Sequence, residues 1–157
     1  MGRRRLPGRG RKGRTVTALR RLLRHRATVV LCQIAIGLVF LAAALPKIGD
    51  SFAFARQIHN YRLVPAELVN LLAITLPWIE LVTALAILLR FRARAGAIVA
   101  AGLMVLFLGA VGSAVARGLD IECGCFGTSD AAKVGFAKLA ENVGLLLLAL
   151  GGSLRPR

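Results

Sequence analysis

The amino-acid sequence predicts an all-α membrane protein, a bundle of four transmembrane helices with both termini in the cytoplasm. Three observations predict this fold class. Hydrophobic residues make up 57% of the 157 residues and the mean hydropathy is +0.69, which is more apolar surface than a soluble domain of this length can bury. The apolar residues fall into four long runs. The basic residues collect on alternate connections between those runs.

Each apolar run is long enough to cross a bilayer, because about 20 helical residues span a hydrocarbon core of about 30 Å. We predict membrane spans at 27–46, 68–90, 95–116 and 134–154. The fourth run is the least apolar, since Lys138 and Glu141 lie near its start. A cleaved signal peptide is the rival interpretation of the first run, but that run is longer than the apolar region of a typical signal peptide.

The basic residues predict the orientation of the bundle. Of 22 Lys and Arg residues, 11 lie in the leader 1–26. Arginines also occur between the second and third spans and in the tail 155–157, namely Arg90, Arg92, Arg94, Arg155 and Arg157. Short basic connections stay in the cytoplasm, so 47–67 and 117–133 are expected on the outer face of the cell membrane. We interpret the leader, partly disordered, as an inner-leaflet anchor and not as a nucleic-acid-binding segment.

The motif with the most chemistry is Cys123-Gly124-Cys125 in the second outer loop. Two thiols one residue apart can close a small, strained disulfide ring, and Gly124 supplies the backbone freedom that the ring needs. Strain makes such a bond easy to reduce, so one interpretation is a redox-active pair. The alternatives are a permanent loop clasp or two ligands of a metal. Three cysteines at this spacing do not form a zinc site, and no metal is assigned. Cys32, near the opposite face, is interpreted as a packing residue.

Polar residues inside the spans are the second group of candidates. Glu80 follows Pro77 and Trp78 in the second span, and a carboxylate inside the membrane is costly unless it is functional or paired. Pro77 is expected to kink that helix, and Gln33 of the first span could be the partner of Glu80. One interpretation of Glu80 is functional, as a proton acceptor or a hydrogen-bond partner of a quinone. The other is structural, as a polar contact between helices.

The fourth span and the first outer loop complete the candidates. Lys138, Glu141 and Asn142 share one face of the fourth span. We expect that face to point inward, with a Lys138–Glu141 pair. The first outer loop is expected to form an amphipathic helix with aromatic residues at headgroup depth, namely Phe52, Phe54 and Tyr61.

Four segments, taken together, resemble the MauE family of methylamine utilisation membrane proteins, which is related to the DoxX-like group. They read GLVFLAAALPKIGD (37–50), FARQIHNYRLVP (54–65), LPWIELVTALAILL (76–89) and ARGLDIECGCFG (116–127). The resemblance implies a four-helix protein that assists maturation of the disulfide-rich β-subunit of methylamine dehydrogenase. It also implies a thioredoxin-like partner, MauD.

By this resemblance Cys123 and Cys125 are the redox pair. Other positions typical of the family are Lys47, Asn60, Tyr61, Pro77, Trp78, Gly124, Phe126 and Gly127. The chain departs from the family at Glu141, where a basic residue is usual before the Asn of the last helix.

Three functional hypotheses follow. The leading one is a membrane accessory protein for thiol–disulfide redox or maturation of an exported client protein, working in the lipid bilayer beside a MauD-like protein. The alternative is a quinone-linked membrane thiol oxidoreductase, which needs quinone as a cofactor and a pocket near Trp78 and Glu80. The third is a non-redox membrane scaffold with a structural disulfide.

Overall fold

The computed structural model describes residues 26–119, 121 and 135–154. Its described part is helical and contains no strand. The helices are α1 (Arg26–Gly49), α2 (Ser51–Asn60), α3 (Ala66–Leu88), α4 (Ala93–Ala116) and α5 (Phe136–Ser153). The helices α1, α3, α4 and α5 are each long and apolar enough to cross a membrane. The predicted four-span bundle is therefore confirmed, with boundaries that lie within three residues of the predicted ones.

The short helix α2 begins immediately after α1. Asp50 caps it, since its Oδ1 accepts a hydrogen bond from the backbone N–H of Ala53 at 2.9 Å. The chain then turns at Tyr61 and Arg62 and enters α3 after Pro65. A four-residue link joins α3 to α4, and both Arg90 and Arg92 adopt left-handed backbone angles in it, with φ of 58° and 55°.

The helix connections give the bundle two ends. The basic end comprises the start of α1, the link 89–92 and the end of α5. There the Arg94 guanidinium donates to the Ser153 carbonyl at 2.9 Å and joins α4 to α5. The loop end comprises α2, the link 61–65 and the described residues that flank 122–134.

Small residues allow close helix packing near the basic end. A methyl group placed on Gly96 would lie 2.7 Å from Ile87, and one on Gly37 would lie 3.0 Å from Leu88. Gly151 and Gly152 of α5 approach Cys32 and Gln33 of α1 in the same way. Small residues at helix interfaces are typical of membrane bundles, because association there depends on close van der Waals contact.

The outer surface of the bundle is apolar. Within the most apolar stretch of each span, only 39%, 28%, 22% and 17% of the residues of α1, α3, α4 and α5 are buried in the protein. Leu31 is 66% exposed and Leu106 is 71% exposed. Such a surface is unsuited to water and is suited to contact with lipid chains.

Candidate functional site

A buried ion pair joins α1 to α3. The Lys47 Nζ lies 2.8 Å from Oε1 and 2.9 Å from Oε2 of Glu80. The two side chains are only 4% and 17% exposed. A charged residue inside a membrane protein is usually paired in this way, because an unpaired charge there is costly. Lys47 lies one residue beyond the predicted first span and was singled out only by the family resemblance. The available signal was the combination of a lysine at a span end with a carboxylate inside another span, since charges within a membrane protein pair with one another.

The prediction that Gln33 is the partner of Glu80 is wrong. Gln33 faces α5 instead, where its Nε2 donates a hydrogen bond to the Gly152 carbonyl at 2.9 Å. The approach is possible because Gly152 has no side chain. Gln33 is 8% exposed, so it forms a polar tie between two helices near the basic end.

A cavity of about 340 Å³ lies beside the ion pair. Its size falls at the lower end of the range for small-molecule pockets. Apolar side chains from α1 to α5 and the link 61–65 form most of the wall. Polar groups in the wall come from Lys47, Gln57, Tyr61, Glu80 and Asn142.

Gln57 of α2 is the polar residue of this wall that sequence reasoning missed. It is 8% exposed, and its Oε1 has no hydrogen-bond partner among the described residues. An unsatisfied buried carbonyl oxygen costs free energy, so its presence points to a partner outside the described residues. The available signal was its position three residues after Phe54, on the same face of α2.

Two of the predicted interfacial aromatic residues, Phe54 of α2 and Tyr61 directly after it, point inward. Phe54 and Tyr61 are each 7% exposed, whereas Phe52 is 73% exposed. Phe54 and Tyr61 therefore pack within the protein, and of the three only Phe52 has the exposure expected of an interfacial aromatic residue. The Phe54 ring covers the Lys47 ammonium of the ion pair, at 5.0 Å from the ring centroid. Tyr61 packs in a buried cluster with Val111 and Ala114. Burial raises the pKa of Tyr61 to about 12.

Three other residues singled out in the sequence, namely Asn60, Pro77 and Trp78, do not line the cavity beside Glu80. Pro77 is buried inside α3, and the helix continues through it. Trp78 is 54% exposed on the outer surface and does not line the cavity. Asn60 is exposed at the end of α2. The cavity beside Glu80 therefore lies away from Trp78, contrary to the expected position of a pocket near both residues.

The polar face of α5 is divided. Lys138 and Glu141 form the predicted pair, with Nζ and Oε2 3.0 Å apart. Glu141 is 44% exposed, so the prediction that all three polar residues point inward is wrong for it. Asn142 is 3% exposed and its Nδ2 donates to the Lys138 carbonyl at 2.9 Å. Although Glu141 and Asn142 are neighbours in the sequence, Glu141 lies on the surface of the bundle and Asn142 lies in its core.

Of the three cysteines, only Cys32 lies among the residues that the structure describes. Cys32 forms no disulfide and lies against Gly151 near the basic end, as expected of a packing residue. Cys123, Gly124, Cys125, Phe126 and Gly127 lie outside the described residues. The described residues before them are held at the loop end: Leu119 and Ile121 pack against the buried cluster of Tyr61, Val111 and Ala114.

Arg117, at the end of α4, adds a polar contact to this attachment. Its guanidinium donates to the Tyr61 carbonyl and, at 3.2 Å, to the Ser113 carbonyl. Tyr61 therefore contacts the segment that leads to the cysteines and also lines the cavity.

Comparison with known proteins identifies relatives along most of the chain. The family model described as "Methylamine utilisation protein MauE" matches residues 25–155. The chain is 39% identical over 115 residues to the methylamine utilization protein MauE of Methylorubrum extorquens, which covers 73% of this chain and 62% of that protein. It is 32% identical over 119 residues to the protein of the same name from Paracoccus denitrificans, covering 75% and 64%.

A third relative of that name, from Methylophilus methylotrophus, is 42% identical over 91 residues, covering 57% of this chain and 48% of the relative. The chain thus matches less than two thirds of the length of these relatives. No solved structure matches it.

Proposed function

This chain belongs to the MauE family, and on that premise we propose that it is a membrane accessory protein of methylamine utilisation. We propose more specifically that it takes part in thiol–disulfide chemistry during maturation of an exported protein. The names of its relatives support the pathway. The Cys123-Gly124-Cys125 motif supports the chemistry.

The attachment of the segment before the cysteines is the observation that carries the proposal. Leu119 and Ile121 pack on a buried cluster at the loop end, and Arg117 binds the Tyr61 carbonyl. Gly135 and α5 take the chain back into the bundle. Such an arrangement suits a short reactive loop held at one membrane face by a rigid helical frame.

The proposed chemistry is thiol–disulfide exchange. A thiolate of the pair attacks a disulfide of a thioredoxin-like protein or of the client, a mixed disulfide forms, and the second cysteine resolves it. Each exchange transfers two electrons and closes one disulfide as another opens. The resemblance implies a MauD-like partner and, as client, the β-subunit of methylamine dehydrogenase.

The proposal includes an orientation, with both termini in the cytoplasm and the loop end facing outward. It rests on the charge distribution. The leader, the link 89–92 and the tail contain basic residues and none of the seven acidic residues. An outward loop end would expose the cysteine pair to the oxidising side of the membrane.

The test is thiol trapping in cells that depend on the protein for growth on methylamine. We expect the pair to cycle between thiol and disulfide states, and the Cys123→Ser/Cys125→Ser variant to lose function. Cys32→Ser is the matched control and should keep function, because Cys32 lies near the opposite end. A pair that is oxidised under all conditions, with an active double variant, would instead favour a scaffold with a structural disulfide.

A further inference from the structure

The cavity at the loop end differs from a simple gap between helices. Its wall is mainly apolar and aromatic, yet it contains the Lys47–Glu80 pair and the Oε1 of Gln57, which has no hydrogen-bond partner within 26–119, 121 and 135–154. A purely apolar cavity in a bilayer protein could hold a lipid chain. A lipid chain has no hydrogen-bond donor, so it would leave the Gln57 oxygen unsatisfied.

The cavity is open on the side that faces lipid. Leu106 of α4 and Leu63 of the link 61–65 both line it, and they are 71% and 48% exposed. An occupant can therefore enter from the bilayer past Leu106 and Leu63. This route selects molecules that are soluble in lipid.

The polar groups define the head of such a molecule. The Glu80 carboxylate accepts two hydrogen bonds from Lys47 and has lone pairs for more. The Gln57 Oε1 is an acceptor without a partner in the described part of the chain. Two acceptors in one cavity match a head with two hydroxyl groups. The Gln57 amide N–H and the Lys47 ammonium can also donate, so the same wall can bind carbonyl oxygens in place of hydroxyls.

We infer that this cavity is a binding site for a lipid-soluble quinone and its quinol, with Gln57 and the Lys47–Glu80 pair contacting the ring oxygens. The rings of Phe40, Phe54 and Phe107 in the wall suit the flat face of the ligand ring. The apolar tail extends past Leu106 into the bilayer.

The inference rests on the proposed function and deepens it by naming the class of electron acceptor. A dithiol that closes to a disulfide releases two electrons and two protons. A quinone takes up both electrons and both protons, and its two carbonyl oxygens become the hydroxyls of the quinol. The site thus provides the oxidant that a dithiol pair needs for repeated turnover within the membrane.

Binding to the full-length protein in detergent tests the inference, with decylubiquinone and decylubiquinol as probes. We expect both to bind. Gln57→Leu should weaken binding about tenfold, the effect of losing one hydrogen bond.

Ala110→Phe fills the cavity and should abolish binding, whereas Ala95→Phe, an exposed site on the same helix, should leave it unchanged. A photoreactive azidoquinone should label residues 54–64 and 103–110 of the unaltered protein. This measurement does not require any variant to fold.

The inference would be overturned by no binding, by equal binding to the Ala110→Phe variant, or by labelling elsewhere. Equal binding of decanol without dependence on Gln57 would also overturn it, because that result describes a general lipid site. The Cys123→Ser/Cys125→Ser variant should bind the probes normally. Quinone binding is therefore measured independently of thiol function, so the quinone site and the proposed thiol function can each fail without the other.

Discussion

The two ends of the bundle differ in how closely their helices pack. Near the basic end, glycines bring helices into contact, as at Gly96 against Ile87 and Gly152 against Gln33. Toward the loop end, Gly109 and Gly112 of α4 meet nothing within 4 Å of an added methyl group, and a cavity opens between the helices. Close packing at one end can thus hold the helices while the other end stays hollow around polar groups.

The largest effect should come from breaking the ion pair at the hollow end. Glu80→Gln leaves the buried Lys47 charge unpaired, and we expect a loss of about 3–5 kcal/mol in the free energy of unfolding. The matched control is Lys47→Met/Glu80→Met, which removes both charges and should recover most of that loss. Unfolding in detergent, followed by circular dichroism, measures both. Equal stability of Glu80→Gln and the unaltered protein would contradict the pairing.

Overfilling the close-packed end should have the next largest effect. Gly96→Leu puts a side chain where even a methyl group would lie 2.7 Å from Ile87, and overpacking of this kind costs about 1–3 kcal/mol. Gly102→Leu on the same helix meets nothing within 4 Å and serves as the control. Both variants gain similarly in helix propensity, so the difference in their melting temperatures isolates packing. If the two melt together, the contrast in packing between the ends is wrong.

The two buried glutamines should respond with opposite sign. Gln33→Leu removes a hydrogen bond and leaves the Gly152 carbonyl without it, so we expect a loss of about 1–3 kcal/mol. Gln57→Leu removes an oxygen that has no partner in the described part of the chain, so stability without ligand should stay equal or rise. Thermal unfolding of both variants, free of quinone, makes the comparison. A larger loss from Gln57→Leu would contradict it.

The smallest effect is a shift in a titration. Tyr61 is the only tyrosine in the chain, so ultraviolet absorbance reports its ionisation alone. We expect a pKa of about 12 in the folded protein, because burial disfavours the charged form, and about 10 after unfolding. Since the folded-state pKa is the higher one, the contribution of Tyr61 to stability is complete below pH ~10 and falls as pH rises toward ~12. A folded-state pKa near 10 would show that this end is open to water at Tyr61.

The spans were predictable from the sequence, whereas the partners of their polar residues were not. Span position depends on apolar length and charge, which can be counted along the chain. Which residue faces which helix depends on rotation and register, and helices that are apolar all round give no periodic signal for either. Gln33 was therefore paired with the wrong helix, and the contact between Lys47 and Glu80, 33 residues apart, was missed. Gln57 was missed because its importance comes from burial without a hydrogen-bond partner among the residues that the structure describes, and a sequence does not show burial of this kind.

The central claim is that the helical frame supports thiol–disulfide exchange at its loop end, and capture of the exchange intermediate tests it most directly. In Cys123→Ser and Cys125→Ser single variants, one cysteine remains to attack and none remains to resolve. We predict that at least one variant accumulates a mixed disulfide with a thioredoxin-like protein or an exported client, visible on non-reducing gels and identified by mass spectrometry. If neither variant traps a partner while Cys32 is left in place in both, the claim of thiol exchange is contradicted.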